Sequence, residues 1–203
     1  MAPPLIESGS KAIASYNYTD LEDGSGTVPY YSFQSSDTSG DTYHLAKDNP
    51  YGVKSHLLTT TNPTEWNFNT GAFNTPRVIN GTLSLNFMTH VTDGGALTQP
   101  VRMTIKLYRV RSAAETQIGS TWVSQNLTIG DVTPLLAKIP IVNAKFRRND
   151  SLRFEFTASW ASGIATFEFG IDPQNRDGSN ILPATNASHF TTNIAQIPFR
   201  IDD

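Results

Sequence analysis

Ser151-Leu-Arg-Phe-Glu-Phe-Thr-Ala-Ser-Trp160, followed shortly by Ile164-Ala-Thr-Phe-Glu-Phe-Gly-Ile-Asp172, is the stretch on which the reading of the fold turns. Apolar and polar side chains alternate along both arms. Leu152, Phe154, Phe156 and Ala158 share one face of the first arm, and Ala165, Phe167, Phe169 and Ile171 share one face of the second. Period-two alternation sends successive side chains to opposite sides of an extended chain, so each arm reads as a strand with one buried face and one wet face. A two-residue turn at Ala161-Ser162 would make the arms a hairpin, with Phe156 facing Phe167, Phe154 facing Phe169 and Leu152 facing Ile171. A one-residue slip would turn this aromatic ladder toward water, so the register should be fixed.

The same grammar extends outward. Leu83, Leu85, Phe87, Thr89 and Val91 alternate with polar or small neighbours, as do Val101, Met103, Ile105 and Leu107. Trp122 to Ile129 follows, then Leu135, Ala137, Ile139 and Ile141, and a last strand carries Ile197, Phe199 and Ile201. Asp93-Gly-Gly95, Arg111-Ser-Ala-Ala-Glu115, Gly130-Asp131 and Arg148-Asn-Asp150 supply the turns between them. Upstream, Val28 to Phe33 reads as a strand whose Pro29 places it at an edge or a strand start. Residues 34–52 read as a long loop, and short apolar segments follow at Ser55–Thr60 and Glu65–Asn69. Residues 1–27 show no sustained periodicity and read as an arm or a loosely attached strand, leaving 28–203 as one domain. Roughly eight to ten strands without helices predict an all-β fold: a two-sheet antiparallel β-sandwich with jelly-roll connections and an irregular N-terminal arm, a closed barrel being the lesser alternative.

Composition agrees. The 203 residues include 24 Thr, 18 Ser and 15 Asn, while charged residues make up only 16%. Short neutral polar side chains suit strands and turns rather than helix surfaces. The absence of cysteine excludes disulfides, thiol nucleophiles and iron–sulfur sites. A formal net charge of −3 argues against a partner held by phosphate attraction, so no nucleic acid is expected. No apolar run approaches the ~20 residues that a bilayer crossing needs, so no membrane is expected. The start, Met1-Ala-Pro-Pro-Leu-Ile-Glu, has neither the basic nor the apolar region of a secretory signal.

Candidate chemistry is sparse. The hairpin register would set Glu155 opposite Glu168 on the outer face, a spacing of ~5 Å that retaining glycosidases and calcium sites both use. Solvated acids, or acids neutralised by a basic neighbour or partner, are the plainer reading, with Arg153 diagonally close. His44, His56, His90 and His189 have no ligand spacing. Asp172-Pro-Gln-Asn-Arg-Asp-Gly-Ser-Asn180 fails as a calcium loop, because Pro173 and Ala184 would occupy its first and last ligand positions. Trp66, Trp122 and Trp160 could form a sugar-stacking platform, although strand parity sends Trp160 inward. No catalytic, cofactor-binding or metal-ligating residue is therefore assigned, and the chain is not expected to be an enzyme.

Asn80-Gly-Thr-Leu-Ser-Leu, Met103-Thr-Ile-Lys-Leu-Tyr-Arg-Val and Glu115-Thr-Gln-Ile-Gly lead on to Ala144-Lys-Phe-Arg-Arg-Asn-Asp-Ser-Leu-Arg-Phe-Glu-Phe and Asp172-Pro-Gln-Asn-Arg176. With these elements, Asn80 to Asp177 resembles the jelly-roll accessory virion proteins of tailed bacteriophages and related prokaryotic viruses, the capsid decoration or cement proteins. The resemblance covers about half of the chain. It implies a homotrimeric or otherwise oligomeric knob on the capsid surface, with the major capsid protein and further copies of itself as partners and no cofactor. A carbohydrate-binding β-sandwich module, attaching to a glycan, is the alternative.

Overall fold

The alternation is realised as strands throughout the computed structural model, which describes residues 25–37, 40–47, 56–95, 100–171, 181–182, 189–190 and 193–200. None of these residues is helical, and the chain is all-β. The first strands are β1 (Ser25–Asp37), β2 (Gly40–Ala46), β3 (His56–Thr59), β4 (Thr64–Asn69) and β5 (Arg77–Gly95). Next come β6 (Arg102–Arg111), β7 (Ala114–Val123), β8 (Val132–Phe146), β9 (Ser151–Ser159) and β10 (Ile164–Gly170). The last are β11 (Ile181–Leu182), β12 (His189–Phe190) and β13 (Asn193–Arg200).

Four antiparallel pairs are nested one inside the next: β3 with β10, β4 with β9, β5 with β8 and β6 with β7. Further pairing of β10 with β5 and of β9 with β6 assembles the layers β3-β10-β5-β8 and β4-β9-β6-β7. Such nesting is the jelly-roll order. The two layers are not separate sheets. Beyond β10, β13 pairs with β5, and β1 pairs with β13 as far as Tyr31 before transferring to β2. A parallel contact of His44 with Asn69 joins β2 to β4, so an 11-stranded sheet wraps around one core. At Pro29, β1 has only β13 beside it among the described residues, which agrees with the expectation that this proline lies at an edge or a strand start.

The hairpin expected across Ala161-Ser162 does not form. β9 lies between β4 and β6, and β10 lies between β3 and β5, in the opposite layer. The inward sets are nevertheless those expected, all fully buried from Leu152 to Ala158 and from Ala165 to Ile171. Phe156 and Phe169 meet with ring centroids 4.8 Å apart, across the core rather than along one face. The physical reason lies at Trp160. A tight hairpin needs the main-chain groups of that residue for the facing strand, but Asn62 Oδ1 accepts from the Trp160 N–H at 3.1 Å and Asn62 Nδ2 donates to its carbonyl. The chain therefore crosses between layers instead of turning back.

Within the loop expected over 34–52, residues 34–37 and 40–46 are strand instead, residues 38–39 and 48–52 lying outside the described residues. β1 continues through Asp37 and β2 returns over Gly40–Ala46, pairing Phe33 with His44 and Ser35 with Thr42. The expected arm lies outside the described residues except for Ser25–Thr27, which begin β1 and pair with Arg200 to Pro198.

On the side away from β1, β7 and β8 come into contact at Gly119. Its φ is +69°, and a Cβ there would lie 2.9 Å from the Pro140 carbonyl oxygen. The β8–β9 turn is held by Asp150, which accepts from Arg111 Nε and Nη2 at 2.8 and 2.7 Å and from the Arg147 N–H at 2.7 Å. The Arg111 guanidinium, with help from that backbone N–H, holds the Asp150 carboxyl below the usual carboxylate range against the opposing effect of burial.

Three outcomes follow for stability in denaturant titrations. Phe156→Ala should cost about 3–5 kcal/mol. Gly119→Ala should cost roughly 2–4 kcal/mol, because left-handed strain adds to a backbone clash, whereas Gly130→Ala, with φ +88° and open space around it, should cost about 1 kcal/mol. Because the folded-state pKa of Asp150 is depressed, its contribution is present above the unfolded carboxyl pKa of about 3.9 and fades as pH falls through the folded value. Asp150→Asn should thus be destabilising at neutral pH and should reduce the loss of stability between neutral and strongly acid pH.

Candidate functional site

Strand parity divides the outer surface into two faces of different chemistry. Over β4, β9, β6 and β7, the outward positions carry charges that pair with one another. Lys106 Nζ donates to Glu155 Oε1 at 2.7 Å, and Arg153 donates to Asn69 Oδ1 at 2.6 Å and to Glu115. The hydrogen bond to Glu155 raises the Lys106 pKa against the opposing effect of burial. The Tyr108 hydroxyl is also raised, first by burial and then by the Glu155 charge. One cross-strand row runs Phe33, His44, Asn69, Arg153, Tyr108 and Gln117. Within it the His44 ring stacks on Phe33 at 5.3 Å, and its Nε2 lies 2.7 Å from the Ser35 hydroxyl.

The opposite layer presents a different face. On β5 and β8 the outward pairs are Thr82 with Pro140, Ser84 with Lys138, Asn86 with Leu136 and Met88 with Pro134. Lys138 is the only charge among them. Leu136 is 50% exposed, and Val142 further along β8 is 81% exposed. No further strand pairs with β8 among the described residues, and Pro134 and Pro140 lack the N–H that an added strand would need. This surface is therefore suited to contact through its face, not through its edge.

Glu155 and Glu168, expected to oppose each other, lie on the outsides of opposite layers. Their strand neighbours are Lys106 and Asn67 for Glu155, and His90 and Leu58 for Glu168. Layers stack about 10 Å apart, so the pair has no glycosidase or calcium geometry. Both acids have basic partners, which corresponds to the plainer reading, but Lys106 takes the role expected of Arg153. His90 Nδ1 lies 3.2 Å from Glu168 Oε2, with both side chains buried. His56 and His189 lie on β3 and β12, and their side chains, like residues 172–180, fall outside the described structure. Among the described residues, no group of three or more His, Asp or Glu side chains could hold a metal ion.

The tryptophans do not form a common platform. Trp66 is in the core, stacked on Phe169 at 5.6 Å and Phe167 at 6.1 Å. Trp122 is half-buried with its ring edge-on to Phe87. Trp160 instead borders an open cleft of about 410 Å³ with Pro100, Arg102, Ser159 and Ala161. That cleft was not legible in the sequence, because its walls come from one end of the β6–β9 pair, distant in sequence, and from a crossing that reads as a turn.

No protein family and no characterised protein sequence matches the chain. By fold it is similar to an α-amino acid ester hydrolase (10% identity, TM-score 0.59), of which it spans 36% while 86% of its own length is covered. It is similar also to an aminopeptidase from a marine sediment Thaumarchaeota archaeon (8%, 0.55; 84% of this chain, 36% of that one). A CocE/NonD family hydrolase from Staphylococcus aureus gives 7% and 0.51, with 87% of this chain and 37% of that one covered. The chain thus spans about a third of each hydrolase. Infectious bursal disease virus, Gt strain, aligns over 85% of this chain and 36% of that one at 12% identity and a TM-score of 0.31, too slight a likeness to bear on function. The hydrolases correct the expectation that the chain is not an enzyme: its fold is one that hydrolytic enzymes carry. At these identities the likeness is one of fold.

The charged face has a direct spectroscopic test. Glu155→Gln should lower the pKa of Tyr108, since the carboxylate that helps to raise it is removed. Ultraviolet titration of tyrosinate, with Tyr108→Phe to assign the signal, measures it.

Proposed function

We propose that the chain is a structural protein of a virus particle, a decoration or cement protein that binds the outside of a capsid lattice. Its partners are the major capsid protein and further copies of itself, arranged as a homotrimer. The observation that carries this reading is the nearly uncharged patch on the outward face of β5 and β8, from Thr82 with Pro140 to Met88 with Pro134. Cores of protein interfaces are depleted in charge, and apolar surface removed from water contributes about 25 cal/mol per Å². A rigid face bearing Met88, Leu136 and Val142 meets the first requirement without exposing an open edge that would polymerise. The resemblance of Asn80 to Asp177 to decoration proteins supports the same reading, and jelly rolls recur in capsid domains. Adhesion then works by area: the knob buries surface on neighbouring capsid subunits and so opposes their separation.

A second reading has the fold comparison behind it. In that reading the chain forms the β-sandwich portion of a hydrolase acting on amino-acid esters or peptide N-termini. Ser35 and His44, 2.7 Å apart, are the pair that would serve it as nucleophile and base.

Co-sedimentation with expanded bacteriophage capsids separates the two. Saturable binding that Leu136→Asp weakens at least tenfold, with an unchanged unfolding midpoint, is the result expected of a decoration protein. Absence of binding, or equal binding by the variant, would overturn it. Turnover of an amino-acid nitrophenyl ester that disappears in Ser35→Ala would establish the hydrolase reading in its place.

A further inference from the structure

The inward face of β1 runs Val28, Tyr30, Ser32 and Gln34, and that of β13 runs Asn193, Ala195, Ile197 and Phe199. Each face is apolar at one end and polar at the other. Ser32, Gln34 and Asn193 are all fully buried. Yet the Ser32 hydroxyl, both polar atoms of the Gln34 amide and Asn193 Oδ1 have no hydrogen-bond partner among the described residues. A buried polar group left so carries its full desolvation penalty, and a cluster of them points to a ligand that meets the whole set.

Strand pairing sets the three residues side by side. β1 and β13 pair from Ser25 with Arg200 to Tyr31 with Ile194, and one step further along the same register stand Ser32 and Asn193. There β1 passes to β2, where Ser32 faces Leu45 and Gln34 faces Tyr43. Gln34 follows Ser32 on the same face at a distance of ~7 Å, one pleat further on. Asn193 is fixed from its other side, since it faces Phe87 on β5 and its Nδ2 donates to the Gly170 carbonyl at 3.3 Å. The polar cluster therefore lies where β1 changes partner.

We propose that the cluster is a closed site for ordered water, which bridges β1 to β13 where their ladder stops. The donors and acceptors select the ligand. Ser32 offers a hydroxyl, Asn193 an acceptor, and Gln34 one donor group and one acceptor whichever way its amide is turned. An anion would meet two acceptors and no cationic group in this set. A cation would meet no carboxylate and would face the Gln34 NH2. An organic ligand would need an opening, which complete burial of all three residues denies. Water donates and accepts, and buried waters make about three hydrogen bonds to such groups. The site is inside the sandwich and does not depend on either outer face.

Water-selective NOE and ROE spectroscopy on the isotope-labelled full chain tests the assignment. Cross-peaks from water to the Gln34 side-chain amide should appear with opposite signs in the two spectra, which separates bound water from proton exchange. Gln34→Met keeps the side-chain length and removes both polar atoms, so it should lower the thermal unfolding midpoint by about 2–4 °C. Exchange of sodium for potassium or lithium chloride at equal low concentration should leave the midpoint unchanged. Absence of the cross-peaks would overturn the proposal. So would an unchanged or raised midpoint in Gln34→Met, the result that loss of an unpaired amide gives. A midpoint that follows the identity of the cation would overturn it in favour of a bound ion.

Discussion

The contact of Phe156 with Phe169 across the core is the constraint from which the rest of the architecture follows. Both strands are lined inward by aromatic side chains, and both lie in the interior of their layers. Had they paired as neighbours, their rings would have formed one broad apolar face that some other element had to cover. Placing them in opposite layers lets each cover the other, and Phe68 and Phe87 fill the space between with edge-on contacts. Once that choice is made, the nested order of the remaining pairs is the arrangement in which successive connections cross the ends of the sandwich.

Parity was legible in the sequence, and pairing was not. Alternation assigns each side chain to the inside or the outside because it depends only on local geometry, and Leu83 through Val91, Leu135 through Ile141, and Ile197 with Phe199 all obey it, Ile201 lying outside the described residues. Which strand lies alongside depends on contacts distant in sequence. Asn62 diverts the chain at Trp160 from 98 residues away. The same gap explains why Glu155 and Glu168 were given to each other rather than to Lys106 and His90. The β1–β2 ribbon was missed for a different reason. Gln34, Ser35 and Thr42 are turn-like in composition, and the segment is held as strand by its ladder.

The candidate sites inherit these limits in a regular way. Outward positions could be identified one strand at a time, but a surface is a property of several strands side by side. The row from His44 to Gln117 draws on five strands, and the uncharged face draws on pairs such as Leu136 with Asn86. Composition likewise could exclude thiol chemistry but not enzymatic use of the fold, and three hydrolases carry it at no more than 10% identity. Scaffold and activity are separable in a jelly roll, because the inward positions specify the fold while the outward ones are left to function.

That separation allows two dissimilar surfaces on one fold. Over β4, β9, β6 and β7 the charges Lys106, Glu155, Arg153 and Glu115 pair with one another, while the outward pairs from Thr82 with Pro140 to Met88 with Pro134 on β5 and β8 carry Lys138 alone. Neither face requires a change in the core, since period two isolates outward substitutions from inward packing. The cleft arises differently. Ser159, Trp160 and Ala161 line it because the chain crosses there from one layer to the other. In the hairpin suggested by the alternating pattern, Ala161 and Ser162 would form a tight turn and Trp160 would extend the strand pair. The clamp by Asn62 breaks that turn and holds Trp160 at the boundary between the core and the cleft, so one side-chain amide governs both the layer order and the concavity.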